Sequence, residues 1–177
     1  MFLAPFVVRL SFIALLIAAA ASRALAGAPQ PAKPVAAALY SGRWYEIART
    51  PNAREKNCQG DTSDFSPLGG GAFTVVETCH KGSPAGPTRT LRTRARILPG
   101  SGGAKFAMSF LGGLIRQQYW IVDHADDDAW ALMATPGGNY IWLLARQPAM
   151  ESAAKAAALA RLAALGYNST RLIFPAQ

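Results

Sequence analysis

The sequence predicts an all-β fold, an eight-stranded antiparallel up-and-down β-barrel with one C-terminal helix packed outside it. Three observations support this prediction: the composition, the number of short alternating segments, and a single helical segment late in the chain. Aromatic residues make up 10% of the 177 residues, and 16 glycines and 12 prolines supply many chain reversals. This composition is typical of short strands joined by turns.

Eight segments are predicted as strands from their alternation and from the turn residues that end them. They are residues 42–49, 58–66, 71–79, 88–98, 104–110, 118–123, 129–135 and 139–146. An alanine-rich segment over residues 150–165 ends at Gly166 and predicts the helix. Residues 171–174 predict a short ninth strand. Eight antiparallel strands with short connections can close on themselves and leave room for one small ligand.

The first 26 residues are interpreted as a secretory signal peptide. Their apolar stretch, residues 10–21, is too short to span a bilayer comfortably and precedes the small-residue pattern Ala24-Leu25-Ala26. An uncleaved anchor is the alternative. The residue directly after the cleavage site is not a cysteine, which is where a bacterial lipoprotein carries its lipid anchor. The sequence therefore predicts an exported protein, periplasmic or secreted and without a lipid anchor.

The chain after Ala26 is expected to form one domain. Loss of the two arginines in the signal leaves 16 basic and 10 acidic residues, a net charge of +6. Residues 27–38, with three prolines among alanines, are interpreted as an extended leader outside the core. Neither an internal repeat nor a second composition shift follows, so residues 39–177 are predicted to be a single domain.

The two cysteines predict a structural disulfide. A hairpin centred on Leu68 and Gly69 places Cys58 opposite Cys79 on neighbouring strands. In an exported chain this arrangement favours a disulfide over free thiols or a metal site. The bond would close a loop of about 20 residues, for which loop entropy gives roughly 3 kcal/mol.

Residues 42–49, Gly-Arg-Trp-Tyr-Glu-Ile-Ala-Arg, resemble the Gly-x-Trp opening strand of the lipocalins, in the form common in bacterial lipocalins and their apolipoprotein D relatives. Residues 139–148 are similar to the last barrel strand of that subfamily, and residues 166–177 resemble its tail after the outer helix. The resemblance covers about residues 39–177. It implies the barrel, a small hydrophobic ligand in the lumen, and neither an enzymatic reaction nor a cofactor.

The first and last strands are neighbours in a closed barrel, which brings Trp44 and Arg146 together. The guanidinium can then lie over the indole face and close one end. The resemblance implies that Gly42, Trp44 and Arg146 are structural rather than ligand-selecting.

Alternation on the later strands predicts an apolar, aromatic lumen. The last strand has one face with Tyr140 and Trp142 and a second apolar face, which a helix packed outside would explain. The predicted ligand-binding residues are Glu46, Phe106, Met108, Phe110, Tyr119, Ile121, Trp130, Leu132, Tyr140 and Trp142. Core filling is the alternative role for the aromatics. Such a lumen suits an acyl chain, so a fatty acid or a lysophospholipid is the expected ligand.

Charged residues suggest two further roles. Arg116, near Tyr119, is predicted to meet the headgroup, with a solvated loop arginine as the alternative. Arg92, Arg94 and Arg96 form a basic ridge on the outer face of the fourth strand. A competing function is therefore an envelope-surface module that acts through this ridge on anionic lipid or a protein partner, although a solvated strand face is the simpler interpretation.

Other partners and chemistries are not expected. Export separates the chain from nucleic acid, and no aromatics interleave the ridge. His80 and His124 belong to no catalytic or zinc-binding arrangement, so neither a catalytic site nor a metal site is predicted. We expect a monomer or a weak dimer, with peripheral membrane contact as a possibility.

Overall fold

A computed structural model describes residues 27–177, so the expected signal peptide lies outside the described residues. Eight antiparallel strands close into one barrel in sequence order, and this confirms the predicted fold. The strands are β1 Gly42–Arg49, β2 Cys58–Gly69, β3 Ala72–Lys81, β4 Thr88–Ile97, β5 Lys105–Phe110, β6 Ile115–His124, β7 Trp130–Ala134 and β8 Ile141–Ala145. The barrel closes where Tyr45 of β1 pairs with Ala145 of β8.

Outside the barrel, helix α1 covers Ser152–Ala164, and short 3-10 turns cover Ala37–Tyr40, Leu111–Gly113 and Ser169–Arg171. The predicted ninth strand is reduced to a single bridge between Ile173 and Arg49. Among residues 27–177, no helix is long and apolar enough to cross a bilayer.

The strands run alternately up and down, which gives the barrel two different ends. Loops 50–57, 82–87, 111–114 and 135–140 lie together at what we call the open end. The 3-10 turn Ala37–Tyr40 and the other hairpin turns lie at the closed end. Trp44 points into this end and donates from its indole Nε1 to the Leu39 carbonyl at 3.1 Å.

Arg146 fastens the closed end, as its position next to Trp44 in a closed barrel requires. Its guanidinium lies 3.7 Å from the centre of the Trp44 ring. The same group donates to the carbonyl oxygens of Ser41 at 2.7 Å and Leu39 at 3.3 Å. Gly42 begins β1 with φ of 70°, a backbone conformation that favours glycine. A cation–π contact and several charge-assisted hydrogen bonds therefore hold this end together.

Two separate apolar cores result from the alternation of side chains across the barrel wall. One core lies inside the barrel and is dominated by aromatic residues. The other lies between the barrel wall and α1 and includes Leu132, Leu143 and Leu162. β8 contributes to both cores, with Trp142 and Leu144 inside and Ile141 and Leu143 outside. The helix is the reason that this strand is apolar on both faces.

The leader, residues 27–38, packs against the barrel, so the expectation that it lies outside the core is wrong. Ala28 donates its N–H to Pro136 O at 2.8 Å, near the open end. Ala32 then contacts β6, and Val35 donates to Gly102 O at 2.9 Å at the closed end. Ala28 and Val35 are each only 6% exposed. The leader thus runs the length of the barrel wall without forming a further strand. Its small side chains and prolines permit this extended path.

Cys58 and Cys79 form the predicted disulfide, with Cα atoms 5.2 Å apart. The predicted register is wrong, however, because Cys58 pairs with Lys81 rather than Cys79. The turn falls at Gly70 and Gly71 instead of being centred on Leu68 and Gly69. A bulge between Gln59 and Thr62 then brings the two cysteines together as diagonal neighbours on one face.

Candidate functional site: a two-sided cavity in the open half of the barrel

A cavity of about 680 Å³ occupies the open half of the barrel. The closed half is filled instead, because aromatic rings from several strands meet there. Tyr40 stacks on Phe73 with ring centres 4.8 Å apart, and Phe73 meets Phe106 at 5.4 Å. Tyr119 stacks on Phe106 at 5.6 Å and forms the floor of the cavity. The usable space is therefore shallower than a fully open barrel would offer.

Four of the predicted ligand-binding residues line this cavity: Glu46, Tyr119, Tyr140 and Trp142. Phe106, Met108 and Ile121 face inward but are buried in the filled half. Phe110 is half-buried at the open end and packs against the inner core. These four residues therefore fill the core and do not line the cavity.

Trp130 and Leu132 were expected to face the lumen, and that expectation is wrong. Residues paired directly across a ladder share a face, and these two pair with Ala145 and Leu143. Those partners belong to the core beneath α1. The inward residues of β7 are instead Ala131 and Met133. Since both faces of β7 are apolar, hydrophobicity alone does not reveal which face is inward.

Arg116 does not line the cavity either. On β6 it lies on the opposite face from the cavity-lining residues Gln117 and Tyr119, and its side chain is exposed on the outer surface. The solvated alternative describes its position. Arg54 and Arg89 are the arginines that reach the cavity.

One wall of the cavity, formed by β6 to β8, is mostly apolar. Trp142 lies at its centre, with its ring 5.9 Å from that of Tyr119 and 6.2 Å from that of Tyr140. Met133 and Leu144 complete this wall. It offers a continuous apolar and aromatic surface against which the hydrophobic part of a ligand can pack.

The opposite wall, formed by β1 to β4, is polar and carries buried carboxyl groups. Its lining includes Glu46, Asp61, Ser63, Glu77, Thr78, Arg89 and Thr90. Most of these residues were not predicted from the sequence, because inward positions were expected to be apolar. Glu77 lies two residues from each of the inward residues Val75 and Cys79, so strict alternation on β3 places it on the same, inward face.

Arg49 holds two of these carboxyl groups. Its guanidinium Nη1 donates to Glu46 Oε1 and to Asp61 Oδ2, the latter at 3.0 Å. Its Nη2 donates to the carbonyls of Glu55 at 2.8 Å and Cys58 at 3.2 Å. Arg49 is only 1% exposed, so the pairings are shielded from solvent.

Burial raises the pKa of three carboxyl groups on the polar wall. It raises the pKa of Glu46 well above its usual value, although Arg49 opposes the shift. It raises the pKa of Asp61 to about 6 and that of Glu77 to about 7, and the nearby Glu55 charge contributes to both shifts. Near neutral pH a protonated carboxyl on this wall can donate a hydrogen bond.

Loop 50–57, which we call the mouth loop, lies across the opening. Glu55 Oε2 accepts from the Trp142 indole Nε1 at 3.1 Å, which ties the loop to the apolar wall. Arg89 donates to the Arg54 carbonyl at 2.6 Å and ties it to the polar wall. The Arg54 guanidinium lies 5.5 Å from the centre of the Phe110 ring. The loop is therefore fastened on both sides of the cavity.

Neither histidine lies in the cavity lining. His80 is near the open end, beside Gly86 O and Thr88 Oγ1, each at 3.4 Å. His124 is at the opposite end, 2.7 Å from Ala125 O. Within residues 27–177, Cys58, Asp61 and Cys79 form a close group of metal-ligand types, but both sulfurs are in the disulfide and offer no thiolate.

Comparison with known proteins agrees with the barrel. The lipocalin-like domain family model matches residues 35–177. The outer membrane lipoprotein Blc of Vibrio cholerae is 24% identical over 154 residues, covering 85% of this chain and 90% of that protein.

Solved structures show the same fold at lower identity. Insecticyanin from the tobacco hornworm Manduca sexta superposes with a TM-score of 0.67 at 16% identity, over 84% of each chain. Lobster apocrustacyanin A1 superposes with a TM-score of 0.61 at 15% identity, over 78% of each chain.

Proposed function

This chain belongs to the lipocalin-like domain family, and from that premise we propose that it binds and carries a small hydrophobic ligand in its open-half cavity. The observation that supports the proposal most directly is the cavity of about 680 Å³ with Trp142 at the centre of its apolar wall. The size falls within the range of ordinary small-molecule sites.

The two-sided lining favours an amphipathic ligand over a simple apolar chain. Trp142, Met133 and Leu144 can bury hydrocarbon, at about 0.8 kcal/mol per methylene. The opposite wall needs polar partners, because a purely apolar ligand would leave Glu77 and Asp61 facing hydrocarbon. Of the two acyl ligands expected from the sequence, a lysophospholipid therefore fits better than a fatty acid.

The charges at the cavity favour the same choice. Any anionic group close to Glu46, Asp61 and Glu77 would be repelled whenever those groups are ionised. Arg54 and Arg89, near the mouth, can bind such a group, whether it is the carboxylate of a fatty acid or the phosphate of a lysophospholipid. The hydroxyl and amine groups of a lysophospholipid can meet the carboxyl groups of the polar wall.

We place this carrier in the cell envelope, in the periplasm or outside the cell. The structural disulfide between Cys58 and Cys79 is suited to an oxidising compartment. The similar protein from Vibrio cholerae is an outer membrane lipoprotein. Storage or transport of envelope lipid is the role that this proposal assigns to the barrel.

The test is a fluorescence titration of delipidated protein with a lysophospholipid and with a fatty acid. Trp142 contacts the cavity, whereas Trp130 packs beneath α1, so Trp130→Phe is a matched control. We expect saturable quenching, tighter binding of the lysophospholipid, and roughly tenfold weaker binding in Trp142→Ala, about 1.4 kcal/mol. Equal weakening by both substitutions, or no saturable response to either lipid, would refute the cavity as the site.

The competing function rests on the basic ridge. Arg92, Arg94 and Arg96 are all exposed on the outer face of β4, as expected from the alternation. Binding through the ridge would be lost with these arginines and would fall steeply with salt, while cavity binding of a lysophospholipid would persist.

A further inference from the structure

The hairpin turn between β5 and β6 carries the two most exposed large apolar side chains among the described residues. Leu114 is 88% exposed, Leu111 is 72% exposed and the adjacent Ile115 is 48% exposed. Two glycines separate the leucines, and nothing lies within 4 Å of the position a side chain would occupy on either glycine. This tip, residues 111–115, projects from the open end with nothing in the described chain packed over the glycines.

Exposed basic side chains surround the same end of the barrel. They are Arg54, Lys56, Lys81, Arg89 and Arg116. In the four loops of the open end, the acidic residue is Glu55. It is half-buried and turned toward Trp142 and Arg49. By contrast, the turn over residues 125–129 at the closed end holds three consecutive aspartates. The rim of the open end is therefore an apolar tip in a basic setting.

The described chain also begins at this end. Gly27 lies against the Pro136 carbonyl of loop 135–140. In the sequence the apolar stretch of residues 10–21 is joined to the barrel at this point.

We propose that the open end of the barrel docks on an anionic lipid bilayer, with Leu111 and Leu114 inserted among the acyl chains and the rim arginines and lysines at the headgroups. Inserted leucines gain free energy in proportion to the apolar area removed from water. Each basic residue near an anionic surface adds attraction that salt screens. A protein partner would recognise the tip without requiring anionic lipid, so the basic rim favours the membrane.

This docking site differs from the basic ridge expected from the sequence. Arg96, at the closed-end half of the ridge, pairs across the sheet with Ala72 and donates to Gly70 O at 3.0 Å. Arg116 lies near the tip at the other end of the barrel wall. Docking by the open end requires Arg116 and not Arg96.

The test is co-sedimentation with phosphatidylcholine vesicles, with and without phosphatidylglycerol. A chain starting at Gly27 contains the complete barrel with both cores, and its use prevents residues 10–21 from binding lipid themselves. The tip variant is Leu111→Ser with Leu114→Ser. Its matched control is Leu68→Ser, since Leu68 is 54% exposed at the closed-end hairpin. Arg116→Gln is matched in the same way by Arg96→Gln.

We expect salt-sensitive binding to the mixed vesicles and little binding to phosphatidylcholine alone. The tip variant should bind roughly tenfold more weakly, equivalent to about 1.4 kcal/mol, and Leu68→Ser should bind like the parent protein. Arg116→Gln should weaken binding more than Arg96→Gln does. All five substituted side chains are exposed, and near-UV circular dichroism verifies that each variant is folded.

Four results would overturn the proposal: undiminished binding by the tip variant, equal losses in the two leucine variants, a loss in Arg96→Gln as large as or larger than that in Arg116→Gln, or no binding to the mixed vesicles at low salt. A larger loss in Arg96→Gln would assign the contact to the ridge. Cavity binding of a soluble lysophospholipid by the tip variant is measured separately, so failure of the membrane proposal is distinguishable from failure of the ligand proposal.

Discussion

The two halves of the barrel use the same wall for different purposes. In the closed half, rings such as Tyr40, Phe73 and Phe106 fill the interior, and Phe106 is completely buried. In the open half, β1, β2 and β3 present Glu46, Asp61 and Glu77 to a cavity, so β3 carries both Phe73 and Glu77 on its inward face. A residue's position along a strand therefore decides whether an inward side chain supports the fold or is available to a ligand.

The largest expected difference between the halves is in stability. Phe106→Ala should lower the free energy of unfolding by about 3–5 kcal/mol, because it opens a cavity in the aromatic cluster. Phe110→Ala, on the same face of β5 but half-buried at the open end, should cost less than half as much. Urea denaturation measures both values. Similar losses would mean that the open half is packed as tightly as the closed half.

A smaller and pH-dependent effect is expected at Glu77. Its pKa of about 7 in the folded protein exceeds its ordinary value, so the folded state holds this proton more tightly than the unfolded state. Stability from this group is thus present below about pH 4.5 and is lost as the pH rises to about 7. Glu77→Gln should stabilise the protein by about 2 kcal/mol at pH 8 and change little at pH 4.5.

Urea denaturation at the two pH values provides the measurement for Glu77. Asp64→Asn is the control, because Asp64 lies on the outer face of β2 and pairs with Arg43 at 2.8 Å where solvent screens the pair. We expect this control to change stability by less than about 1 kcal/mol at pH 8. A Glu77→Gln variant that is destabilised at pH 8 would contradict the assignment of burial as the dominant cause.

The smallest expected effect concerns ligand affinity. Arg89→Gln should weaken lysophospholipid binding by roughly fivefold, about 1 kcal/mol, because it removes a phosphate partner from the cavity. Arg116→Gln should leave the dissociation constant of a soluble ligand unchanged, since its side chain lies outside the barrel. The fluorescence titration compares the two variants. Equal effects would mean that headgroup selection is not made inside the cavity.

Much of the fold follows from local patterns. Strict alternation made much of β4 predictable, with Thr93 and Ala95 inside and Arg92, Arg94 and Arg96 outside. The contact between Trp44 and Arg146 follows from closure of the barrel alone. The disulfide was also predictable, because the chain has two cysteines and the predicted hairpin places them on adjacent strands.

The errors lie where alternation is interrupted or uninformative. Bulges at Ile47, between Gln59 and Thr62, and at Val122 shift the faces of β1, β2 and β6. A turn segment with three consecutive glycines permits several registers, and for this reason the predicted register of the β2–β3 pair was wrong. The filled half was unpredictable for another reason: an inward aromatic residue has the same sequence pattern whether it packs against other rings or lines a cavity.

The hydrogen bond between Glu55 and Trp142 has a kinetic consequence. It joins the mouth loop to the side chain that a ligand must reach, at a donor–acceptor distance of 3.1 Å. A molecule that approaches the indole from the mouth displaces this bond on the way in and lets it re-form on the way out. Entry into the cavity is then limited by how often the loop opens, so two ligands of very different affinity would share one association step and differ in their dissociation rates.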